Sequence, residues 1–166
     1  MRKIKRKYKS PRTPWNTTQI KEERKLLMEF GLRRKKELWK AQATLRNFRR
    51  RARLLIAAAN KEEEKILIQK MEKLGFITKQ DATLDDILAL NIKNILNRRL
   101  QTLVYKKGIA KGVKHARQLI THGHVYIGGK KTKHPAYLVA TEEEDKIGIT
   151  ERHEKIGKPD AKLENS

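Results

Sequence analysis

Between Asp86 and Glu142 the chain carries eleven Lys or Arg and four of its five His, and no carboxylate at all. Side chains of these types do two kinds of chemistry. They neutralise and hydrogen-bond anions, or, in the case of imidazole, they ligate metals. The spacing favours the first. At about 100° per residue from Val113, the apolar Val113, Ala116, Leu119 and Ile120 fall in one third of a helical wheel, while Lys114, His115, Arg117, Gln118, Thr121 and His122 fall in the opposite arc. One face packs and the other is free for a ligand. Arg117 can fork two anionic oxygens, and Lys114, Lys130, Lys131 and Lys133 supply mobile point charges. Gln118, Thr121 and the first amides of the helix can donate to sugar or phosphate. His115, His122, His124 and His134 find no Cys and no carboxylate in the stretch to complete a coordination shell, so no metal is expected. Packing at the helix–strand corner, or one imidazole hydrogen bond to RNA, accounts for them.

A second constellation lies upstream. Arg46, Arg49, Arg50 and Arg53 follow i, i+3, i+4, i+7, which sets four guanidinium groups in one stripe, with Arg51 beside it and no carboxylate from Thr44 to Ala57. Arg98, Arg99, Lys106, Lys107 and Lys111 extend the downstream block. The whole chain has a net charge of +22 on 166 residues, a self-repulsion that a polyanion would relieve. The charge comes in two strongly basic blocks, residues 1–56 and 96–138, alternating with mildly acidic ones at 57–95 and 139–166. A-form RNA hides its major-groove base edges and is recognised through phosphate and 2′-OH geometry, which suits such surfaces.

The elements that must position these groups follow from periodicity. Residues 1–18 are basic, contain two prolines and lack apolar periodicity, so they read as an extended arm. Trp15 is expected to dock on a neighbouring hydrophobic surface. Thr17 or Thr18 caps a helix with Glu22 and Glu23 in its first turn, ending near Gly31. From about Arg33 to Asn60, Leu38, Ala41, Leu45, Phe48, Ala52, Leu55 and Ala59 predict a long amphipathic helix. The next segment turns Ile66, Leu67, Met71 and Leu74 inward, closes on Gly75 and pairs antiparallel with its predecessor. Thr83 and Asp86 form a capped helix start. A further helix is expected from about Ile92 to Lys107, with Ile92, Ile95, Leu96, Leu100, Leu103 and Val104 on one face, Arg98, Arg99, Lys106 and Lys107 outside it, and Gly108 as its C-terminal cap. After Gly123 a strand HVYI, a Gly-Gly primed turn and a returning basic segment form a hairpin, and KIGI closes the sheet after the acidic EEED. Tyr126 and Tyr137 are expected in the hairpin core.

Composition removes several classes. The longest apolar run is Leu54 to Ala59, far short of the roughly 20 residues a membrane span needs. The basic N-terminus is not followed by the apolar core of a secretory signal, so export is not expected and a cytoplasmic location is. With no cysteine there is no disulfide framework and no Cys-based zinc or iron–sulfur site. No dinucleotide fingerprint or P-loop occurs, and Asp81, Asp85 and Asp86 lie in a helix-start context, so no enzyme, cofactor or small-molecule substrate is expected.

Gly108, the run Ala116-Arg117-Gln118-Leu119 and His122-Gly123-His124, within LQTLVYKKGIAKGVKHARQLITHGHVYIGGKK, resemble the RNA-binding domain named after small-subunit ribosomal protein four. The agreement is continuous over about fifty residues. The basic arm, the arginine-rich helix, GFI…LDDIL, ILNRRLQTLVYKKG and EEEDKI resemble the archaeal and eukaryotic branch of that ribosomal protein family over nearly the full length. Some bacterial relatives carry a cysteine zinc site that this chain lacks, and Gly112 stands where many relatives have a Ser or Thr cap. The resemblance implies an α+β protein in which a helical basic N-terminal region accompanies a compact two-helix and β-hairpin domain of the alpha-L type. The expected division is a basic arm at 1–18, a helical region at 19–95, the RNA-binding domain at 96–150 and a charged tail at 151–166. It further implies a structural protein of the small subunit that clamps an rRNA multi-helix junction, acts in assembly, contacts neighbouring ribosomal proteins and sits near the path by which mRNA enters, with an effect on translational accuracy.

Four other readings predict different features. An RNA-modifying enzyme carrying the same small domain needs a catalytic domain. A DNA-binding helix-turn-helix would use the GIAKGV joint but not the hairpin behind it. A dissociable factor would wash from ribosomes, and residues 2–12 read alone could be a nuclear-localisation patch.

Overall fold

The computed structural model describes residues 7–77 and 82–150. The expectations for residues 1–6, for Asp81 and for the tail at 151–166 lie outside the described residues. The chain divides into two compact units between Arg98 and Arg99.

In the first unit, α1 (Thr17–Glu29) is capped by Asn16, whose Oδ1 accepts from the amides of Thr18 at 3.1 Å and Gln19 at 3.4 Å. The cap therefore precedes the threonines expected to supply it, because an asparagine oxygen reaches the first free amides as well as a hydroxyl does. Glu23 lies beyond the first turn and is buried. It accepts from Trp39 Nε1 at 3.0 Å and Gln19 Nε2 at 3.3 Å and pairs with Lys35 at 3.2 Å. The helix ends as expected at Gly31, whose φ of +55° carries the chain into Leu32, and the Leu32 amide bonds back to Leu27.

Helix α2 (Lys35–Ala58) buries Leu38, Ala41, Leu45, Phe48 and Ala52 along the anticipated face. Leu55 is half-buried and Ala59 is exposed, so the apolar seam fades toward the helix end. Asn60 caps α3 (Lys61–Lys73), which packs on α2 through Leu67 and Met71. Beyond Gly75, Phe76 meets Phe48 with ring centroids 5.9 Å apart, so the second helix returns toward the middle of the first. Ile66, expected inward, is 65% exposed, because the inward face of this helix runs through Leu67, half-buried Ile68 and Met71 and leaves Ile66 to one side. Two short helices, α4 (Leu84–Ala89) and α5 (Ile92–Asn97), complete the unit against α2. The Thr83 amide donates to Asp86 Oδ2 at 3.0 Å, the expected start signal.

The second unit opens where one helix was expected to continue. Arg99 is extended, with φ −74° and ψ 141°, and separates α5 from α6 (Leu100–Lys106). The reason is pairing with distant chain. Arg99 forms a β-bridge with Leu138, and the Leu100 amide donates to the Tyr137 carbonyl at 2.8 Å. Helix α6 packs against α7 (Val113–Thr121). The three-stranded antiparallel sheet has the order β2-β1-β3, from β1 (Val125–Ile127), β2 (Lys130–Lys131) and β3 (Ile147–Ile149). Gly128 and Gly129, at φ +55° and +78°, make the two-residue primed turn, in register with Ile127 opposite Lys130. The acidic run forms one helical turn, α8 (Thr141–Glu144), before β3. Leu100, Leu103, Val104, Ala116, Leu119, Ile120, Val125, Val139 and Ile147 form the core between helices and sheet. The protein is α+β, and no helix among the described residues is long and apolar enough to cross a membrane.

Candidate nucleic-acid interface

Helix α7 divides as its wheel requires. Ala116, Leu119 and Ile120 are buried, Val113 is half-buried, and Lys114, Gln118, Thr121 and His122 are exposed. Its start is held from inside: Gln101, almost wholly buried on α6, donates from Nε2 to the Val113 carbonyl at 3.0 Å. Gln101 was not singled out from sequence. A glutamine inside an apolar period is the one available signal, since a buried amide must find a partner.

His115 and Arg117 are half-buried. Nδ1 of His115 accepts from the Lys111 amide at 3.3 Å, which fixes the joint between α6 and α7 and leaves Nε2 as the nitrogen available to a ligand. The Thr121 hydroxyl lies 3.0 Å from the Arg117 carbonyl and 3.1 Å from that of Gln118, so its proton is engaged within the helix and its oxygen serves as an acceptor. His122 and His124 stack with ring centroids 6.4 Å apart across the corner. Among the described residues no three His, Asp or Glu come together as a metal site.

The hairpin brings further charge to the same end of the helix. At Gly123, φ is +76° and an added Cβ would lie 2.3 Å from Cε of Lys131 and 3.4 Å from Cε of Lys133. The absent side chain lets both lysine stems cross the end of α7, so Lys131 and Lys133 join His122 and Thr121 on one surface. Lys130, Lys131 and Lys133 are all exposed. Lys106, Lys107, Lys111 and Lys114 are exposed on and beside the two helices, with the Lys107 ammonium donating to the Glu144 carbonyl. Arg99 departs from its expected place outside the apolar face. It is buried at 4% exposure because the bridge to Leu138 draws its residue into the unit.

In the first unit, Arg46, Arg50, Arg51 and Arg53 are exposed on α2, whereas Arg49 is half-buried and donates from Nη2 to the Leu90 carbonyl at 2.6 Å. The stripe that faces solvent therefore has three of its four expected members. Arg98 is half-buried with its guanidinium lying over Gly75, where a Cβ would approach Cζ to 2.7 Å. Trp15 is 87% exposed, and Trp39, which the sequence did not single out, packs on Tyr8 with centroids 6.0 Å apart.

The S4 domain family matches residues 98–145, nearly the whole described part of the second unit. Over much more of the chain there are named relatives. Small ribosomal subunit protein uS4 of Ignicoccus hospitalis is 47% identical over 150 residues, covering 89% of this chain and 90% of its own length. The protein of the same name from Sulfurisphaera tokodaii is 50% identical over 149 residues, covering 88% of this chain and 84% of its own length. That of Methanococcus aeolicus is 48% identical over the same coverage. With identities of this size across both units, the chain belongs to the uS4 family of small ribosomal subunit proteins.

Proposed function

We propose that this chain is a structural constituent of the small ribosomal subunit in the cytoplasm, not an enzyme, and that it binds small-subunit rRNA at a multi-helix junction during assembly. The observation that carries the rRNA contact is the surface formed by Lys114, Gln118, Thr121 and His122 of α7 with Lys130, Lys131 and Lys133 of the hairpin, all exposed. Phosphate neutralisation by these lysines supplies affinity, and the α6–α7 pair, locked by Gln101 and His115, supplies register. Arg46, Arg50 and Arg53 make a second set of phosphate contacts, with Arg49 and Arg98 acting mainly as their supports. Lys106, Lys107, Lys111, Arg117 and His124 flank the main surface. Trp15 docks on a neighbouring ribosomal protein. Proximity to the path of entering mRNA, and an influence on translational accuracy, follow from the family resemblance.

The test is binding to a folded small-subunit rRNA transcript across a salt series. Contact with about six to ten phosphates lowers affinity roughly 10³–10⁵-fold between about 50 and 200 mM salt. Arg117→Glu weakens binding far more than Lys155→Glu, a change in the acidic tail outside the described residues. A flat salt response, or equal effects of the two reversals, contradicts this reading.

A further inference from the structure

Within the basic surface, an open cavity of about 490 Å³ lies along the hairpin. Its composition differs from a simple phosphate site. Ile127 and Tyr137 give it apolar walls, Lys130, Lys131 and Lys133 give it cations, and Glu143 sets a carboxylate among them. A lone phosphate needs only the cations and is repelled by Glu143. Duplex RNA offers no flat apolar face to cover a phenol ring that is 40% exposed. An unpaired nucleotide offers all three complements: a π-face, a hydrogen-bonding edge and a phosphate.

Tyr137 is also held in place. Its amide donates to the His134 carbonyl at 3.1 Å, its carbonyl accepts from Leu100 at 2.8 Å, and its hydroxyl donates to Glu143 at 2.9 and 3.1 Å. A ring fixed at both ends pays little ordering entropy when a base stacks on it. Hydrogen bonding to Glu143, with partial burial and the carboxylate's charge, raises the phenol above its ordinary pKa of 10.0, so the hydroxyl keeps its proton. Glu143 also accepts from the Ala140 amide at 3.3 Å. A carboxylate has about four acceptor positions, so capacity for further donors remains.

We propose, resting on the RNA-binding reading above, that this cavity receives one unpaired nucleotide of the RNA, its base stacked on Tyr137, an amino-bearing edge toward Glu143 and its phosphate between Lys131 and Lys133. Glu143 favours cytosine, which places an N4 amino donor where uracil has its O4 acceptor; the one donor of uracil, N3–H, lies between two carbonyl oxygens that repel the carboxylate. Cytosine and uracil are nearly equal in size, so the contrast isolates the edge.

The experiment uses the full chain and two probes, a folded small-subunit rRNA transcript and short oligocytidylate or oligouridylate competitors. Tyr137→Ala weakens transcript binding roughly five- to hundred-fold, the loss of one stacked base, with the salt slope unchanged, whereas Tyr137→Phe, which keeps the stacking face and loses only the hydroxyl anchor, weakens it far less. Lys131→Gln instead lowers the salt slope by about one. Oligocytidylate competes better than oligouridylate, and Glu143→Gln narrows the gap. If Tyr137→Ala binds as wild type does, or if the two oligonucleotides compete equally, the cavity assignment falls while steep salt dependence keeps the RNA-binding reading intact. If wild type shows no salt-dependent binding, both fall. Circular dichroism of each variant separates a lost contact from a lost fold.

Discussion

Nη2 of Arg49 lies 2.6 Å from the carbonyl oxygen of Leu90, where α4 ends and the chain turns into α5. This guanidinium stabilises the first unit and is taken out of the row of exposed arginines on α2. A charge-assisted hydrogen bond of this kind contributes about 1.5–3 kcal/mol.

Arg49→Ala should therefore lower unfolding stability by about 1.5–3 kcal/mol, read by denaturant titration of tryptophan fluorescence. Arg50→Ala, one residue on and exposed, should change stability by less than about 0.5 kcal/mol while weakening rRNA binding. Equal losses of stability in the two variants would show that the Leu90 contact contributes nothing.

Gly123 and Gly108 separate backbone strain from surface disruption. Both have positive φ, +76° and +71°, so an alanine at either is strained by about 1–2 kcal/mol. At Gly108 the added Cβ meets open space, whereas at Gly123 it strikes the Lys131 stem. Thermal unfolding should show similar destabilisation for Gly108→Ala and Gly123→Ala, and only the latter should also weaken rRNA binding. If both variants bind alike, Lys131 takes no part in the surface.

The Tyr137 phenol provides a pH signature. Its pKa is raised, first by the hydrogen bond to Glu143, then by partial burial and the nearby carboxylate charge. A group whose folded pKa exceeds its unfolded value holds its proton longer in the native state, so this contribution to stability is full below pH about 10 and fades as pH rises through the folded pKa. Near-ultraviolet phenolate absorbance should reveal a tyrosine that ionises above the ordinary range in wild type. That late step should vanish in Tyr137→Phe and return to the ordinary range in Glu143→Ala. An unchanged titration in Glu143→Ala would remove Glu143 as the cause.

Much of the second unit was legible because local period and tertiary burial agree there. Ala116, Leu119 and Ile120 repeat at helical spacing and are the residues the core takes, and Gly128-Gly129 between two strand patterns favours a tight turn of the primed kind. The break between α5 and α6 was not legible. Ile95, Leu96, Leu100, Leu103 and Val104 keep one unbroken helical period across it, and the carbonyl that claims the Leu100 amide comes from Tyr137, far along the chain. Arg49 and Arg99 show the same limit for charge. Both fit the pattern of a solvated basic face, yet Arg49 finds a carbonyl on another element and Arg99 is drawn inward by a β-bridge. Tyr137 was expected in the core as an aromatic beside a hairpin, but its hydroxyl reaches Glu143 on α8, a turn that the sequence reading did not place, and its ring remains exposed.

The most direct measurement is quantitative mass spectrometry of small ribosomal subunits from the organism that carries this chain, separated on a gradient after a high-salt wash. One copy per small subunit is the expected result and identifies an integral component. Absence from the washed subunits, with the protein free or bound to other RNAs, would contradict a structural place in the particle and assign the same RNA-binding surfaces to a dissociable factor.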